Sequence, residues 1–227
     1  MVFGPHRSFP VSEGEVLGGS QNDYLNYRVV DCAGLAVNFD YVFGDQACHV
    51  LGEMFQVLSD RYDHLDVNVV HFGKVGILND QYGLGSLLLP MGALEETEVL
   101  RGDLRPVPIH NQLVLNAGLG QFFVDAVGVP HAQGRTVNTV SVLKQTRSGL
   151  EKCLVAGGDF LDMEWSVMDG LGRGYQVNYP NLGRLSYFFA GIGSDKPLQQ
   201  QTLADTLYPL DVERKVGIAL KDLLVKL

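Results

Sequence analysis

The spacing of hydrophobic residues changes along the chain and predicts alternating strands and helices. Continuous or β-branched apolar runs are typical of strands, whereas apolar residues three or four positions apart are typical of helices. The predicted strands are 27–30, 35–43, 66–72, 87–90, 136–143 and 185–192. The predicted helices are 45–62, 112–127, 148–156, 161–171 and 211–227, the first and last of them capped by Asp45 and Asp211. Because strands and helices alternate, the pattern indicates an α/β fold.

Two segments interrupt this pattern. Residues 1–23 are rich in Gly, Pro and Ser and show little periodicity, which predicts an irregular N-terminal arm ahead of a domain at 24–227. Segments of this kind often pack on a neighbouring subunit or fray. The run Gly73-Lys74-Val75-Gly76 follows the strand 66–72 and predicts a sharp turn of the chain.

Composition narrows the class of protein. With 227 residues, 46% of them hydrophobic and 19% charged, the chain is long enough to bury one substantial core. Its formal net charge of -9 disfavours attraction to nucleic acid or to anionic membranes, because the long-range field has the wrong sign. No apolar run reaches the roughly 20 residues of a membrane span, and no basic segment precedes a hydrophobic one at the amino terminus. A cytoplasmic protein is therefore expected.

The cysteines give no sign of a disulfide framework or a metal site. Cys32, Cys48 and Cys153 are odd in number and widely separated, so no pairing with the spacing of metal ligands is present. Small core residues are the simplest interpretation. The sequence predicts neither a bound metal nor a cofactor.

The end of the last apolar run is the first candidate for chemistry. Residues 185–192 lead directly into Gly193-Ser194-Asp195. A buried strand that stops in this way delivers a carboxylate to the carboxyl end of a sheet, where open α/β proteins build their sites. Asp195 is therefore the candidate catalytic residue. The alternative is that Asp195 caps a helix that begins after Pro197.

Four short motifs stand out along the chain. They are, in order, His71-Phe72-Gly73-Lys74-Val75-Gly76-Ile77-Leu78 with Leu84 to Pro90, Thr136 to Val140, Asp162-Met163-Glu164, and Ser194-Asp195. This ordered set resembles the motifs of the nucleoside phosphorylase family, which includes purine and uridine phosphorylases and related nucleosidases. The resemblance covers roughly residues 27–227 and implies a single α/β domain with a mixed, partly barrel-like central sheet flanked by helices. It also implies cleavage of the N-glycosidic bond of a nucleoside, with phosphate or water as acceptor.

The resemblance assigns roles to the matching residues. Cleavage of the C1′–N bond generates an oxocarbenium-like sugar, so the leaving base needs a proton or a hydrogen bond, which Asp195 can supply. A pocket that excludes water would raise the pKa of Asp195 toward the working range. Glu164 is expected to accept hydrogen bonds from the ribose 2′ and 3′ hydroxyls, with Met163 packed against the sugar. Asn138, on the strand that shapes the base pocket, and Gly76 are the further substrate-binding candidates. An exposed helix face is the alternative for Glu164.

Phosphate is the one co-substrate that the sequence leaves open. Gly73 would let backbone amides approach an anion while Lys74 supplies charge, although a glycine turn also serves as plain chain reversal. Arg28 and Arg135 are further anion candidates that suit the surface equally well.

The chain also departs from the family pattern. Residues 1–23 do not predict the usual first strand, and Asn138 stands where an acidic residue is common. The spacing between Glu164 and Asp195 is long and places residues 170–183 as an inserted loop, a candidate lid or partner surface.

Two functions therefore stay open. One is an enzyme that cleaves a nucleoside or a related N-ribosyl compound by phosphorolysis or hydrolysis. The other is a catalytically weak nucleoside-binding or assembly subunit of the same fold. Either would bind a small nucleoside-like ligand, and because family members are usually oligomers, a homo-oligomer is expected. A dinucleotide-binding dehydrogenase is disfavoured because no Gly-x-Gly-x-x-Gly motif follows an early strand.

Overall fold

Strands and helices alternate along most of the chain. The computed structural model describes residues 1–21, 25–31, 35–40, 44–139, 145–200 and 209–227. The strands are β1 (Val2–Phe3), β2 (Val16–Ser20), β3 (Asn26–Asp31), β4 (Leu35–Asp40), β5 (Val67–Ile77), β6 (Leu87–Glu95), β7 (Val107–Pro108), β8 (His131–Asn138), β9 (Phe160–Asp162) and β10 (Leu185–Asp195). The α-helices are α1 (Asp45–Ser59), α2 (Glu96–Leu100), α3 (Gln112–Leu115), α4 (Ala117–Val127), α5 (Arg147–Val155), α6 (Trp165–Arg173), α7 (Tyr175–Asn178) and α8 (Leu210–Leu224).

The sheet is mixed and partly closed. Its strand order is β10-β6-β8-β9-β5-β1-β4-β3-β2, and a further pairing of β10 with β5 closes five of these strands into a barrel. Within the barrel, β5 runs parallel to β10, and β8 runs parallel to both β6 and β9. The two groups are joined by the antiparallel pairs β10–β6 and β5–β9. The fold class implied by the family resemblance, a single α/β domain with a partly barrel-like sheet, is confirmed.

Three hydrophobic clusters hold the helices against this sheet. One joins α1 and α6 to the barrel around the fully buried Trp165, the second joins α4 and α8 to the faces of β5, β6 and β10, and the third lies under α5. Burying one large apolar side chain contributes about 1.5–3 kcal/mol, so the amphipathic helices are held mainly by these contacts.

The sharp turn predicted at Gly73 to Gly76 is wrong. β5 continues through all four residues to Ile77, and its pairing with β10 continues from Val67 to Gly76. Glycine inside a strand often marks a place where another group approaches closely. Gly191, which pairs with Gly73, shows this directly, because a Cβ there would lie 2.7 Å from Trp165 Cη2. These glycines make room inside the barrel instead of reversing the chain.

The prediction that residues 1–23 are irregular is wrong in two places, where the chain forms strands. Val2 and Phe3 are buried and form β1, which lies between β4 and β5 and runs parallel to both. Val16–Ser20 forms β2 at the edge of the sheet. A two-residue strand is too short to show a period in the sequence, which explains why the first strand was missed.

Several helix boundaries also differ from the prediction. Gly44 occupies the N-cap of α1 and Pro209 that of α8, so Asp45 and Asp211 lie inside these helices instead of capping them. The helix predicted at 161–171 begins at Trp165, because its first residues belong to β9. The loop predicted at 170–183 contains the end of α6 and all of α7.

The remaining predictions concern the cysteines, membranes and metals. Cys153 is buried in the core and burial raises the pKa of its thiol to about 11, whereas Cys48 is half-buried. Cys32 and the strand ends predicted at 41–43 and 140–143 lie outside the described residues. Within the described ranges, no helix is both long and apolar enough to cross a membrane, and no group of three or more His, Cys, Asp and Glu side chains is arranged to hold a metal ion.

Candidate active site

The two predicted acidic residues lie in segments that meet at one end of the barrel. The strand register places Asp195, Gly76 and Leu161 in one row across β10, β5 and β9. Since neighbouring strands are about 4.8 Å apart, the backbones of Asp195 and Leu161 are separated by roughly 10 Å. β9 ends at Asp162, and the chain reaches Glu164 two residues later, at the start of α6. The fold therefore brings the two segments together although they are far apart in sequence.

Asp195 lies half-buried beside a glycine. A β-bulge between Gly193 and Asp195 shifts the register at the end of β10. A Cβ on Gly76 would lie 3.7 Å from Asp195 Oδ2, so the carboxyl group lies in van der Waals range of this glycine. The short helix that follows, Pro197–Gln199, has Lys196 as its N-cap and no side-chain cap, so Asp195 is not a helix cap.

The surroundings of Asp195 favour its protonated form. Burial raises the pKa of this carboxyl group, while the hydrogen bond from Ser194 and the positive charge of Lys74 lower it and oppose the effect of burial. Ser194 Oγ donates to Asp195 Oδ1 at 2.6 Å. A carboxyl group that keeps its proton above the ordinary range can donate that proton to a leaving group.

The neighbouring face of β5 is open at Gly73. Gly73 is half-buried, and a Cβ there would meet no described heavy atom within 4 Å, in contrast to the crowded Gly191 on the paired strand. Successive residues of a strand point to opposite faces, so this space lies on the side away from Lys74. The side-chain-free opening at Gly73 therefore lies on the opposite face of β5 from Gly76, the glycine that Asp195 contacts.

Glu164 is buried and points toward the start of α1. Its side chain is 7% exposed, so the exposed helix face considered as an alternative is wrong. Gly44 N donates to Glu164 Oε1 at 2.5 Å, and Met163 N donates to Oε2 at 3.3 Å. A carboxylate at a helix N-terminus is stabilised by the helix dipole. Met163 shares this place, because its Cε lies 3.2 Å from where a Gly44 Cβ would be.

Asp162 positions Glu164 and was missed as a functional candidate. Its Oδ2 accepts hydrogen bonds from the backbone N–H groups of Glu164 at 2.9 Å and Trp165 at 2.6 Å, which caps α6. Its Oδ1 is buried without a hydrogen-bond partner among the described residues. Burial, followed by the negative charge of Glu164, raises the pKa of Asp162 well above its usual range.

His71 is a second residue that sequence reasoning missed. It is buried, and its Nδ1 accepts a hydrogen bond from Trp165 Nε1 at 2.9 Å, so the ring proton of the neutral imidazole is on Nε2. Burial lowers the pKa of His71, and the nearby charge of Glu164 opposes this effect. The available signal was a histidine inside the otherwise apolar strand 66–72.

Asn138 belongs to a polar network next to β9. It pairs in register with Asp162 at the end of β8. Asn138 Nδ2 donates to Glu95 Oε2 at 2.7 Å, and Ser166 Oγ donates to Glu95 Oε1 at 2.6 Å. This leaves Asn138 Oδ1 as a buried acceptor with no hydrogen-bond partner among the described residues. The network fixes the orientation of the amide.

The two arginines considered as anion ligands lie elsewhere. The guanidinium of Arg28 donates to the carbonyl oxygens of His6 at 2.9 Å and Phe9 at 2.5 Å, and to Asn38 Oδ1 at 3.0 Å. Arg135 is exposed on β8, where its Nη1 lies 3.0 Å from the position of a Gly157 Cβ. Among the described residues, no hydrogen bond or ion pair joins either arginine to Asp195 or Glu164.

Comparison with known proteins identifies the fold. No protein-family model matches the sequence, and no curated protein sequence matches it significantly. Three solved structures match nearly the whole chain. Futalosine hydrolase of Helicobacter pylori superposes with a TM-score of 0.72 at 11% identity, covering 100% of this chain and 97% of that chain. The 5′-methylthioadenosine/S-adenosyl homocysteine nucleosidase of Campylobacter jejuni gives 0.70 at 10% identity, with 100% and 98% covered. Purine nucleoside phosphorylase of Toxoplasma gondii, in complex with immucillin-H, gives 0.63 at 17% identity, with 99% and 90% covered.

These structures share one architecture with the chain over their full length, despite low sequence identity. Asp195 and Gly76 lie on strands of the barrel, and Glu164 follows the barrel strand β9. The chain therefore has the fold of the nucleoside phosphorylases and nucleosidases, with a sequence that has diverged far from theirs.

Proposed function

We propose that this protein cleaves the N-glycosidic bond of a nucleoside or a related N-ribosyl compound. The observation that carries the proposal is Asp195, a half-buried carboxyl group at the end of a barrel strand, whose pKa is raised by burial. It lies beside Gly76, which has no side chain. The shared fold with nucleosidases and phosphorylases supports the same reaction class.

Each residue of the site has a role in this reaction. Protonated Asp195 donates a proton or a hydrogen bond to the leaving base, so that the C1′–N electron pair departs with a neutralised base. Glu164 accepts hydrogen bonds from the ribose hydroxyls, and Met163 packs against the sugar. Asn138 presents its unpartnered carbonyl oxygen to an N–H group of the base. Gly76 and Gly73 leave space for the ligand.

Water is the better supported acceptor. Two of the four candidate phosphate ligands, Arg28 and Arg135, are directed away from Asp195. This leaves Lys74 as the candidate cation next to the carboxyl group, and its charge already acts on Asp195. Phosphate, which carries about two negative charges at neutral pH, is normally bound by several donors at once. We therefore favour hydrolysis over phosphorolysis.

Base release with and without phosphate tests this proposal. A panel of purine and pyrimidine nucleosides is incubated with the protein, and free base is measured by liquid chromatography. We expect release in phosphate-free buffer, with no increase when phosphate is added. Release only with phosphate would reject hydrolysis and retain bond cleavage. No release under either condition would reject the enzymatic function.

A substitution at Gly73 tests whether the open face of β5 holds the ligand. Gly73→Val places a side chain into unoccupied space, so the melting temperature is expected to change by less than about 3 °C, which corresponds to about 1 kcal/mol. Nucleoside-dependent thermal stabilisation should disappear, since the same space is needed by the ligand. The paired substitution Gly191→Ala meets Trp165 and should lower stability without added ligand. Unchanged ligand stabilisation in Gly73→Val would place the ligand elsewhere.

The catalytically weak binding subunit is the second candidate, and one observation favours it. The Glu164 carboxylate already accepts hydrogen bonds from Gly44 and Met163, and a purely structural carboxylate would make the same contacts. Nucleoside-dependent thermal stabilisation without turnover would support this alternative.

A further inference from the structure

A cavity of about 630 Å³ lies beside α6 and α7, and its described lining includes neither Asp195 nor Glu164. It is bounded by the end of α6, by α7, by the start of β10 and by the residues around His110. The sequence analysis singled out this same segment, 170–183, as an inserted lid or partner surface. Pockets for small organic ligands have volumes of about 300–1,000 Å³. The cavity is therefore large enough for such a ligand.

A buried carboxylate organises one wall of this cavity. The Asp169 side chain is fully buried, yet it is bound by three groups. Asp169 Oδ1 accepts from His110 N at 2.8 Å and lies 3.1 Å from His110 Nδ1, while Arg173 Nη2 donates to Oδ2 at 3.3 Å. A buried charge is retained when such partners compensate it. Asp169 thus fixes an imidazole and a guanidinium at the edge of the cavity.

The cationic groups keep donors for a ligand. A guanidinium has five N–H donors in a fixed fork, and Asp169 takes those of Nε and Nη2 on Arg173. Arg184, also in the lining, has a side chain that is 79% exposed and 3.8 Å from Asp66 Oδ2. Two arginines against one aspartate give the lining a positive formal charge, whereas the whole chain carries -9.

A tyrosine of the lining has a buried hydroxyl group. Tyr175 lines the cavity and is 1% exposed, and its hydroxyl has no hydrogen-bond partner among the described residues. Burial raises the pKa of this phenol to about 12, so it remains an O–H donor. Buried polar groups are almost always hydrogen-bonded, and the exceptions call for an explanation. Tyr187 in the same lining differs, because its hydroxyl donates to Met168 O at 2.8 Å.

We propose that this cavity is a binding site for a small organic oxyanion that carries an aromatic ring. Arg173 and Arg184 bind the carboxylate or phosphate group, since the planar guanidinium matches both. The Tyr175 hydroxyl donates to the same ligand. The rings of Tyr175 and Tyr187 and the leucine side chains of the lining cover its apolar part. This site is separate from Asp195, so it does not depend on the proposed nucleoside cleavage.

Calorimetric titration of the full chain tests the site. The probes are phenyl phosphate, benzoate, inorganic phosphate and the neutral benzyl alcohol. We expect saturable binding of phenyl phosphate or benzoate, at least tenfold weaker binding of inorganic phosphate, and none of benzyl alcohol. The ringed anion that binds more tightly identifies the oxyanion. Arg173→Gln and Arg184→Gln should each weaken binding at least tenfold. Arg147→Gln, which removes an exposed arginine paired with Glu151 on α5, should leave binding unchanged.

Tyr175→Phe separates binding from stability. The change deletes an unpartnered buried hydroxyl, so the ligand-free protein should melt at a higher temperature while the affinity for the ringed anion falls. Absence of saturable binding at millimolar concentrations of both ringed anions would overturn the proposal. This outcome includes the case in which a second copy of the chain fills the cavity and excludes the anions. Equal weakening by Arg147→Gln would also overturn it. If Arg173→Gln does not fold, the binding measured for Arg184→Gln still tests the proposal, because the Arg184 side chain is exposed.

Discussion

Asp195→Asn is expected to slow base release by a factor of about 100 to 10,000, the usual contribution of a positioned general acid. The amide keeps the size of the carboxyl group and its contact with Gly76, but it cannot transfer a proton. Because Asp195 is half-buried and paired with Ser194, little change in fold stability is expected. Nucleoside affinity should fall far less than the turnover rate. A variant with normal turnover would remove Asp195 from the mechanism.

The pH dependence of the rate gives a second readout of the same group. Burial raises the pKa of Asp195, so its protonated form persists to higher pH than that of an ordinary carboxyl group. If the protonated form is active, base release falls as the pH rises through this value, and Asp195→Asn lacks that decline. Ser194→Ala removes a hydrogen bond that lowers the pKa and should move the decline to higher pH. A decline that does not move would assign it to another group.

Gly217→Ala is expected to destabilise the protein by about 3 kcal/mol, the upper end of the usual cost of overpacking. Gly217 lies in the buried face of α8, where a Cβ would meet the carbonyl group of Ser8. The Ser8 segment cannot move away easily, because the Ser8 hydroxyl donates to the buried carboxylate of Glu213 and Phe9 is fully buried. Urea unfolding of both proteins measures the difference.

Gly52→Ala is the matched control for this prediction. Gly52 also lies inside a helix, α1, but a Cβ there would meet no described atom within 4 Å. Alanine has a higher helix propensity than glycine by about 1 kcal/mol, so this variant should be more stable than the parent protein. The same substitution is then expected to change the free energy of unfolding in opposite directions at two helical sites. Destabilisation by both would contradict the Ser8 carbonyl as the specific cause at Gly217.

The sequence predicted the elements with long hydrophobic patterns better than the short or glycine-rich ones. β10 and the body of α1 were predicted because apolar runs and helical spacing extend over many residues. β1 was missed because two residues have no period, and tertiary pairing with β4 and β5 defines it. The turn predicted at Gly73 to Gly76 was wrong because pairing with β10 holds these residues in an extended strand, and no local signal reveals that pairing.

The candidate site was predicted in part. Asp195 was singled out because it ends an apolar strand. The burial of Glu164 excludes the exposed helix face, and the roles of both residues stay predictions. Asp162 was missed because its partner is the backbone N–H group of Glu164, which the sequence does not reveal. His71 was missed because its partner, Trp165, is far away in sequence. Arg28 was predicted as an anion ligand because a guanidinium suits an anion. Its guanidinium instead donates to backbone carbonyl groups.

The closure of the barrel also constrains when the candidate site can form during folding. β10 completes the cylinder by pairing with β5, more than a hundred positions earlier in the chain, and the same strand carries Asp195. Contacts of such long sequence separation form late, because the intervening chain must lose much conformational freedom first. Assembly intermediates that lack this last pairing would therefore also lack the row that joins Asp195, Gly76 and Leu161.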